Sequence, residues 1–279
     1  MKYVKKYIKK YRVTPLACIK VLVCLFLLWG TWGVIQFNRP LKLKDIAYSN
    51  VFSMVNKFQG YTVYLKEYGK YEPYLAISEN YNGEGSVLLL RKYLLDQPRR
   101  FNEAEGYGAY YENSEIDKYL NTRFKSTLSA PVRKHLVTSN LEITARSSVG
   151  SVGDETTKIP RQVFLLSHEE MVAGSSGMAA KEGKKLLYFT GFHSYVATTK
   201  NGEAEPYWLR TPYTEHDTTI WFIASDGLKS YIPLWDMLYD DVAKRNVRPA
   251  FCLPRNTKLV RKEGVVKGKR VFVLKADDK

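Results

Sequence analysis

The sequence predicts an α+β domain of short strands with one or two helices, preceded by a single transmembrane helix. Three observations carry that reading. Short apolar runs bounded by Pro, Asn and Gly recur from Tyr61 onward, as strands separated by turns do. One segment, residues 114–125, has a helix start signal and a helical apolar face. One uncharged run, from Val21 to Phe37, stands apart behind a basic leader. The 279 residues, 45% hydrophobic and 25% charged, leave room for one large domain or two small ones and exclude disorder throughout. A mean hydropathy of -0.32 excludes a polytopic membrane protein.

The run from Val21 to Phe37 reads VLVCLFLLWGTWGVIQF, 17 residues without a charge. A helix needs about 17–25 such residues to cross a hydrocarbon core of roughly 30 Å, so this one is at the lower limit. Lys20 can snorkel and add length on the near side, while Trp29 and Trp32 suit the far interface. Residues 1–20 hold seven Lys/Arg and no acid. By the positive-inside rule that tail is cytoplasmic and everything after the run is outside. The expectation is therefore a plasma-membrane, single-pass protein with an extracellular C-terminal domain and membrane lipid as the partner of Val21 to Phe37. A cleaved signal peptide competes with this, because Thr31 and Gly33 are small at the -3 and -1 positions.

The net charge of +15 is unevenly placed. Residues 1–20 carry +7 and residues 254–279 carry +6, which leaves +2 for 21–253. A nucleic-acid-binding domain would put its basic patch on the fold itself, so nucleic acid is excluded as a partner. Of the three Cys, Cys18 and Cys24 lie in or beside the apolar run and only Cys252 lies beyond it. That rules out a disulfide framework and leaves a structural zinc site unsupported.

Taken in order, residues 38–60 form a connector in which Ala47, Val51, Met54, Val55 and Phe58 recur at helical spacing, which predicts a juxtamembrane amphipathic helix. Residues 61–66 alternate, and 74–78 and 86–91 are short apolar runs, all strand-like. In 114–125, Ser114 is an N-cap candidate with Asp117 three residues on, and Ile116, Tyr119, Leu120 and Phe124 share a face. Residues 131–136 add a short helical turn. Residues 162–167 read as a strand, followed by a short helix at 168–172. Further strands are expected at 186–190, 207–210, 219–225 and 247–253, with Ser/Gly-rich loops at 146–157 and 173–184. Asp226-Gly227 reads as a hairpin turn. Residues 258–274 look like a separate hairpin turning near Lys267-Gly268-Lys269.

Chemical motifs are sparse. There is no phosphate-binding glycine loop, no nucleophile elbow and no H-E-x-x-H. The four His (His135, His168, His193, His216) show no metal-ligand spacing, and no metal or cofactor is assigned. His168-Glu169-Glu170 reads as the start of a short helix with acids at its N-terminus. Asp236, Asp240 and Asp241 read as a solvated face rather than a cation site. Aromatics are the one enrichment, at 14% with 21 Tyr. Residues 101–111, FNEAEGYGAYY, place Tyr107, Tyr110 and Tyr111 among acids. Flat rings beside polar groups suit a sugar or a peptide, and equally suit the core and edge of a small domain.

Several segments, in order, resemble an uncharacterised extracellular domain family of single-membrane bacteria, a numbered domain of unknown function. They are Ser114-Glu115-Ile116 through Leu120-Asn121 and Phe124, then Val163-Phe164-Leu165-Leu166-Ser167 with Glu169-Glu170. After these come Tyr207-Trp208-Leu209-Arg210-Thr211-Pro212, Ile223 to Asp226-Gly227, and Val247-Arg248-Pro249-Ala250-Phe251. The resemblance covers roughly residues 61–254 and implies a distant branch of the C-type-lectin-like fold, which also houses formylglycine-generating enzymes. It implies strands at the W-L-R and V-R-P-A segments, with Arg210 and Arg248 pinning loops. Pro249 would interrupt a ladder, so that strand is expected to be bulged or at an edge. Copper chemistry is not implied, since only Cys252 lies in the domain. Calcium-dependent sugar binding is not implied either, since Glu205-Pro206-Tyr207 and Trp235-Asp236 are partial echoes of lectin signatures.

The resulting expectation divides the chain into a basic tail (1–20), a span (21–37), a linker (38–60), an α+β ectodomain (61–254) and a basic hairpin (255–279). Its function is expected to be binding or scaffolding of a surface polymer or protein partner, without catalysis. The binding residues expected are Tyr107, Tyr110, Tyr111, Trp208, Arg210 and Arg248. Lys258, Arg261, Lys262, Lys267, Lys269 and Arg270 are expected to dock on an anionic surface, a wall polymer among them. The competing readings are a membrane-complex subunit and a cell-wall-directed enzyme using His193 or His216.

Overall fold

The protein is described by a computed structural model covering residues 23–25, 40–48, 61–83, 85–102, 108–172, 178–190, 192–236 and 241–278. Two compact units divide the chain, residues 1–40 and 41–279. In the first, only residues 23–25 and 40 are described, and 23–25 are helical. No helix among the described residues is long and apolar enough to cross a membrane. This overturns the transmembrane helix and, with it, the single-pass and plasma-membrane placement. A 17-residue run broken by Gly30, Gly33 and Gln36 is too close to the minimum for apolarity alone to secure a span. Most of that run, and most of the linker helix expected after it, lies outside the described residues. Of the linker's expected face only Ala47 is described, one residue beyond the four-residue helix α1 (Leu43–Ile46).

The second unit is mostly β, not the α+β lectin-like arrangement expected. Its centre is a seven-stranded sheet in the order β15-β16-β1-β2-β3-β14-β7. The strands are β1 (Thr62–Glu67), β2 (Lys70–Ser78), β3 (Ser86–Arg91), β7 (Val163–Phe164), β14 (Ala250–Pro254), β15 (Leu259–Val266) and β16 (Lys269–Leu274). Every neighbouring pair is antiparallel except β1 and β16, which run parallel with Val63 opposite Phe272. β1 alternates half-buried and buried residues, whereas β3 is buried along its whole length. Alternation of that kind marks a strand covered on one face, and continuous burial one covered on both.

Helices are short because the sequence gives them little length. Ser114 Oγ caps the helical stretch α2 (residues 115–127) by accepting from the Asp117 N–H at 3.2 Å. The stretch passes through a π-helical turn, Leu120–Phe124, and buries Ile116, Leu120 and Phe124. Ser129 caps α3 (Ala130–His135), whose Pro131 is in the first turn, where its missing N–H costs nothing. Ser167 and Glu170 form a capping box on α4 (His168–Met171).

Smaller sheets accompany the main one. They comprise β8 (Tyr207–Pro212), β9 (Thr219–Ile223) and β10 (Lys229–Pro233), the pair β5 (Ser139–Thr144) with β6 (Thr156–Arg161), and the short pairs β4 (Arg99–Arg100) with β13 (Lys244–Arg245) and β11 (Trp235–Asp236) with β12 (Asp241–Val242). The turn at Asp226-Gly227 forms as expected, with Gly227 at φ 88°. Residues 186–190 are not a strand. β14 is internal, between β3 and β7, and Pro249 lies just before it, so no bulge or edge position is needed. The C-terminal hairpin turns at Lys267-Gly268, and β16 continues the main sheet rather than standing apart.

Candidate functional site

Two buried arginines organise the domain. Arg210, on β8, is fully buried and grips Glu170 with both terminal nitrogens, Nη1 to Oε2 at 2.8 Å and Nη2 to Oε1 at 3.0 Å. It also donates to the Leu165 carbonyl at 2.8 Å, and its Nε is 3.5 Å from Glu182. Glu170 is the third residue of α4, held there by the capping box, and it accepts from the Tyr81 hydroxyl at 2.5 Å. Glu182 accepts from the Thr144 N–H, the Thr144 hydroxyl and the Thr211 hydroxyl, each at 2.7 Å. Burial pushes the Glu182 carboxyl up, and Arg210 pulls against that. An unpaired charge at such depth costs several kcal/mol, so each donor here offsets a real penalty.

Arg91, at the end of β3, repeats the design. Its Nε and Nη2 reach Glu67 at 3.0 and 3.1 Å, and Nη1 donates to the Tyr93 and Leu94 carbonyls at 2.5 and 2.8 Å. Glu67 accepts from the Tyr74 hydroxyl at 2.6 Å. The second carboxylate is Glu72, 3.6 Å from Arg91 and 2.6 Å from Lys200. Lys200 is exposed, so this cluster opens outward where the Arg210 cluster is closed.

It opens into a cleft of about 400 Å³ lined by Glu72, Lys200, Asp96, Gln97, Arg99 and Tyr119, with Tyr68 at its lip. Arg99 and Tyr119 also line an adjoining cleft of about 460 Å³. The guanidinium of Arg99 stacks 3.6 Å from the Tyr119 ring centre. The second cleft is cationic. β4 and β13 pair Arg100 opposite Lys244 and Arg99 opposite Arg245. Arg245 lies over the Phe222 ring at 4.8 Å, and burial pushes its guanidinium down. Arg123 lines the same cleft, and among the described residues Arg100, Arg123 and Lys244 make no ion pair.

The residues singled out from the sequence are placed differently. Tyr107 lies outside the described residues. Tyr111 is buried, and its hydroxyl accepts from the Leu165 N–H at 3.3 Å. Tyr110 is buried and donates to Glu112 at 3.1 Å. Trp208 is buried against Phe101, with its indole N–H on the Arg99 carbonyl at 2.8 Å. Arg248 is buried and donates to the Arg91 carbonyl and the Tyr207 hydroxyl. Arg210 is the hub described above. These side chains are consumed by the fold, and Arg248 ties the end of β3 to the start of β8 rather than pinning a loop. On the C-terminal hairpin, Lys258, Arg261, Lys267, Lys269 and Arg270 are exposed and Lys262 is half-buried. Lys262 pairs with Asp278 at 2.6 Å and Arg270 with Glu263 at 2.5 Å. His216 is exposed and stacks on Tyr213, while the His193 side chain lies outside the described residues.

The cationic cleft was legible only as two basic doublets, Arg99-Arg100 and Lys244-Arg245, which nothing in the sequence brings together. Summing charge over 21–253 hid them, because acids elsewhere cancel the total.

These features define a mostly β domain stiffened by two buried arginine–glutamate clusters and bearing a charged double cleft. The chain belongs to the family described as a domain of unknown function, DUF6273, whose model matches residues 84–255. Comparison with curated proteins and with solved structures gives no match, so the C-type-lectin-like likeness finds no support. The matched span holds β3 through β14 and leaves β1, β2, β15 and β16 outside it. The Arg91 cluster lies on that seam, with Arg91, Asp96, Arg99 and Lys200 inside the matched span and Glu67, Tyr68 and Glu72 outside.

Proposed function

We propose that this domain is a non-catalytic binding module that takes an anionic polymer along the cleft beside β4 and β13. The observation that supports it is the cross-strand pairing of four cations, Arg100 with Lys244 and Arg99 with Arg245. Like charges directly opposite each other in a ladder are destabilising. Aromatic rings relieve this for Arg99 and Arg245. Among the described residues Arg100 and Lys244 have no such relief, and an anion in the cleft supplies it.

The test is titration of the full chain with inorganic polyphosphate at low salt. Half-buried Arg100 and exposed Lys244 near an anionic chain contribute about 1 kcal/mol each in high dielectric, so Arg100→Ala with Lys244→Ala should weaken binding about thirtyfold. Raising salt should weaken it further, as screening sets in within roughly 10 Å at 0.1 M. The hairpin is the comparison arm, through Lys267→Ala with Lys269→Ala. Truncation after Pro254 is unsuitable, because it removes β16 from the sheet. If the hairpin pair abolishes binding and the cleft pair does not, the hairpin is the docking element and the cleft reading fails.

A further inference from the structure

Tyr68 is where the backbone and the side chain both defy the fold's own interests. The loop joining β1 to β2 is two residues long, with Glu67 opposite Lys70. Such loops need positive φ at both central positions and favour Asn, Asp and Gly. Gly69, at φ 75°, meets that demand, but Tyr68 adopts φ 50° with a bulky side chain. Left-handed conformation at such a residue is an outlier, and strain of this kind gathers at binding sites. The ring gains no compensating burial, since Tyr68 is 72% exposed.

Tyr68 instead lines the first cleft, together with Tyr119 and Arg99. The polar lining there mixes donors and acceptors: Glu72, Asp96 and Gln97 with Lys200. Glu72 is held in place from two sides by Arg91 and Lys200. Three carboxylates, Glu67, Glu72 and Asp96, offset most of the four cations Lys70, Arg91, Arg99 and Lys200 at this lining, so it is a poorer phosphate site than the neighbouring cationic cleft. They suit hydroxyls, which both donate and accept. A pyranose ring offers an apolar face of C–H bonds to an aromatic plate and a rim of hydroxyls to such a lining.

We infer that the cleft behind Tyr68 is a saccharide subsite, with the Tyr68 ring as its stacking surface, so that the polymer is an acidic glycan. This rests on the polyanion reading above. The two clefts share Arg99 and Tyr119, so a sugar ring in one puts its acidic neighbour toward the other.

The experiment compares oligogalacturonate, an acidic glycan, with inorganic polyphosphate, which has no ring, on the full chain. Tyr68→Gly should lower oligogalacturonate affinity at least tenfold and leave polyphosphate affinity unchanged. Its melting temperature should not fall, because Gly tolerates φ 50°. Tyr68→Phe should keep glycan binding. Unchanged glycan binding by Tyr68→Gly, or an equal loss for both probes, would overturn the saccharide subsite. Polyphosphate binding without any glycan binding by the wild type would overturn it too, and would leave the polyanion reading standing. Binding of neither probe would sink both.

Discussion

The Arg210 and Arg91 clusters are two copies of one solution in different surroundings. Each arginine grips one glutamate with two nitrogens, each such glutamate accepts a tyrosine hydroxyl, and each arginine also donates to backbone carbonyls. They differ at the second glutamate. Glu182 is sealed among Thr144 and Thr211, whereas Glu72 meets an exposed Lys200 at a cleft. A sealed cluster turns its hydrogen bonds inward, onto the fold. An open one fixes a carboxylate where a ligand reaches it.

The sharpest way to break this comparison is at Arg210. Arg210→Met leaves Glu170 and Glu182 buried without their cation, a loss of about 3–5 kcal/mol in urea unfolding. That is a large part of a stability of roughly 5–15 kcal/mol. Arg210 also pulls the Glu182 carboxyl down against burial. Without it that carboxyl rises further, so the native state holds its proton to higher pH and the variant should lose more at pH 8 than at pH 5. A loss under about 1 kcal/mol would show that Arg210 is not the hub.

The sealed region also carries the domain's acid sensitivity. His168, on α4 two residues before Glu170, is fully buried, tilts against Trp221 at 4.6 Å and, among the described residues, has no hydrogen-bond partner on either ring nitrogen. Burial lowers it from 6.5 to about 4, with Lys229 and Lys185 adding to the effect. The unfolded chain therefore takes up a proton below pH 6.5 that the folded chain refuses until about pH 4. Stability should fall by about 3 kcal/mol as pH drops through that window, and His168→Phe should flatten the slope. A slope that persists in the variant would assign the acid sensitivity elsewhere.

Arg91→Met should cost less than Arg210→Met, about 2 kcal/mol, because Glu72 keeps Lys200 and has water within reach. Equal costs would erase the distinction between open and sealed. The smallest effect should be Lys200→Ala. Its side chain is 41% exposed, and exposed ion pairs contribute about 0–1 kcal/mol. Thermal unfolding should register almost nothing for it.

The local signals in the sequence were good guides where a local cause decides the outcome. Ser114 with Asp117, the helix start at His168-Glu169-Glu170, the turn at Asp226-Gly227 and the apolar run 86–91 all formed as their chemistry dictates. What could not be read was long-range pairing. β6 carries Thr156, Thr157, Lys158 and Arg161 and is mostly exposed or half-buried, so its pattern resembles a loop, and only its pairing with the largely buried β5 makes it a strand. Apolar run length misled at residues 21–37 for a related reason, since composition reports hydrophobicity and not the geometry that uses it. The site was hidden twice over. Its cations sit in separate doublets, and its aromatic lip, Tyr68, occupies a turn position where sequence rules expect Asn or Gly. The conspicuous aromatic and arginine residues that were described, Tyr110, Tyr111, Trp208, Arg210 and Arg248, proved to be buried.

The parallel pairing of β1 with β16 has a consequence for synthesis. Val63 and Phe272 are neighbours in the sheet but about two hundred residues apart along the chain. A ribosome adding roughly 5–20 residues per second leaves the outer edge of β1 without its partner for some ten seconds or more. During that time the β1–β2 hairpin offers an open row of amides to any other strand. Lys66 and Lys70, near the tip of that hairpin, then act as guards for a nascent edge as well as ornaments of a finished surface.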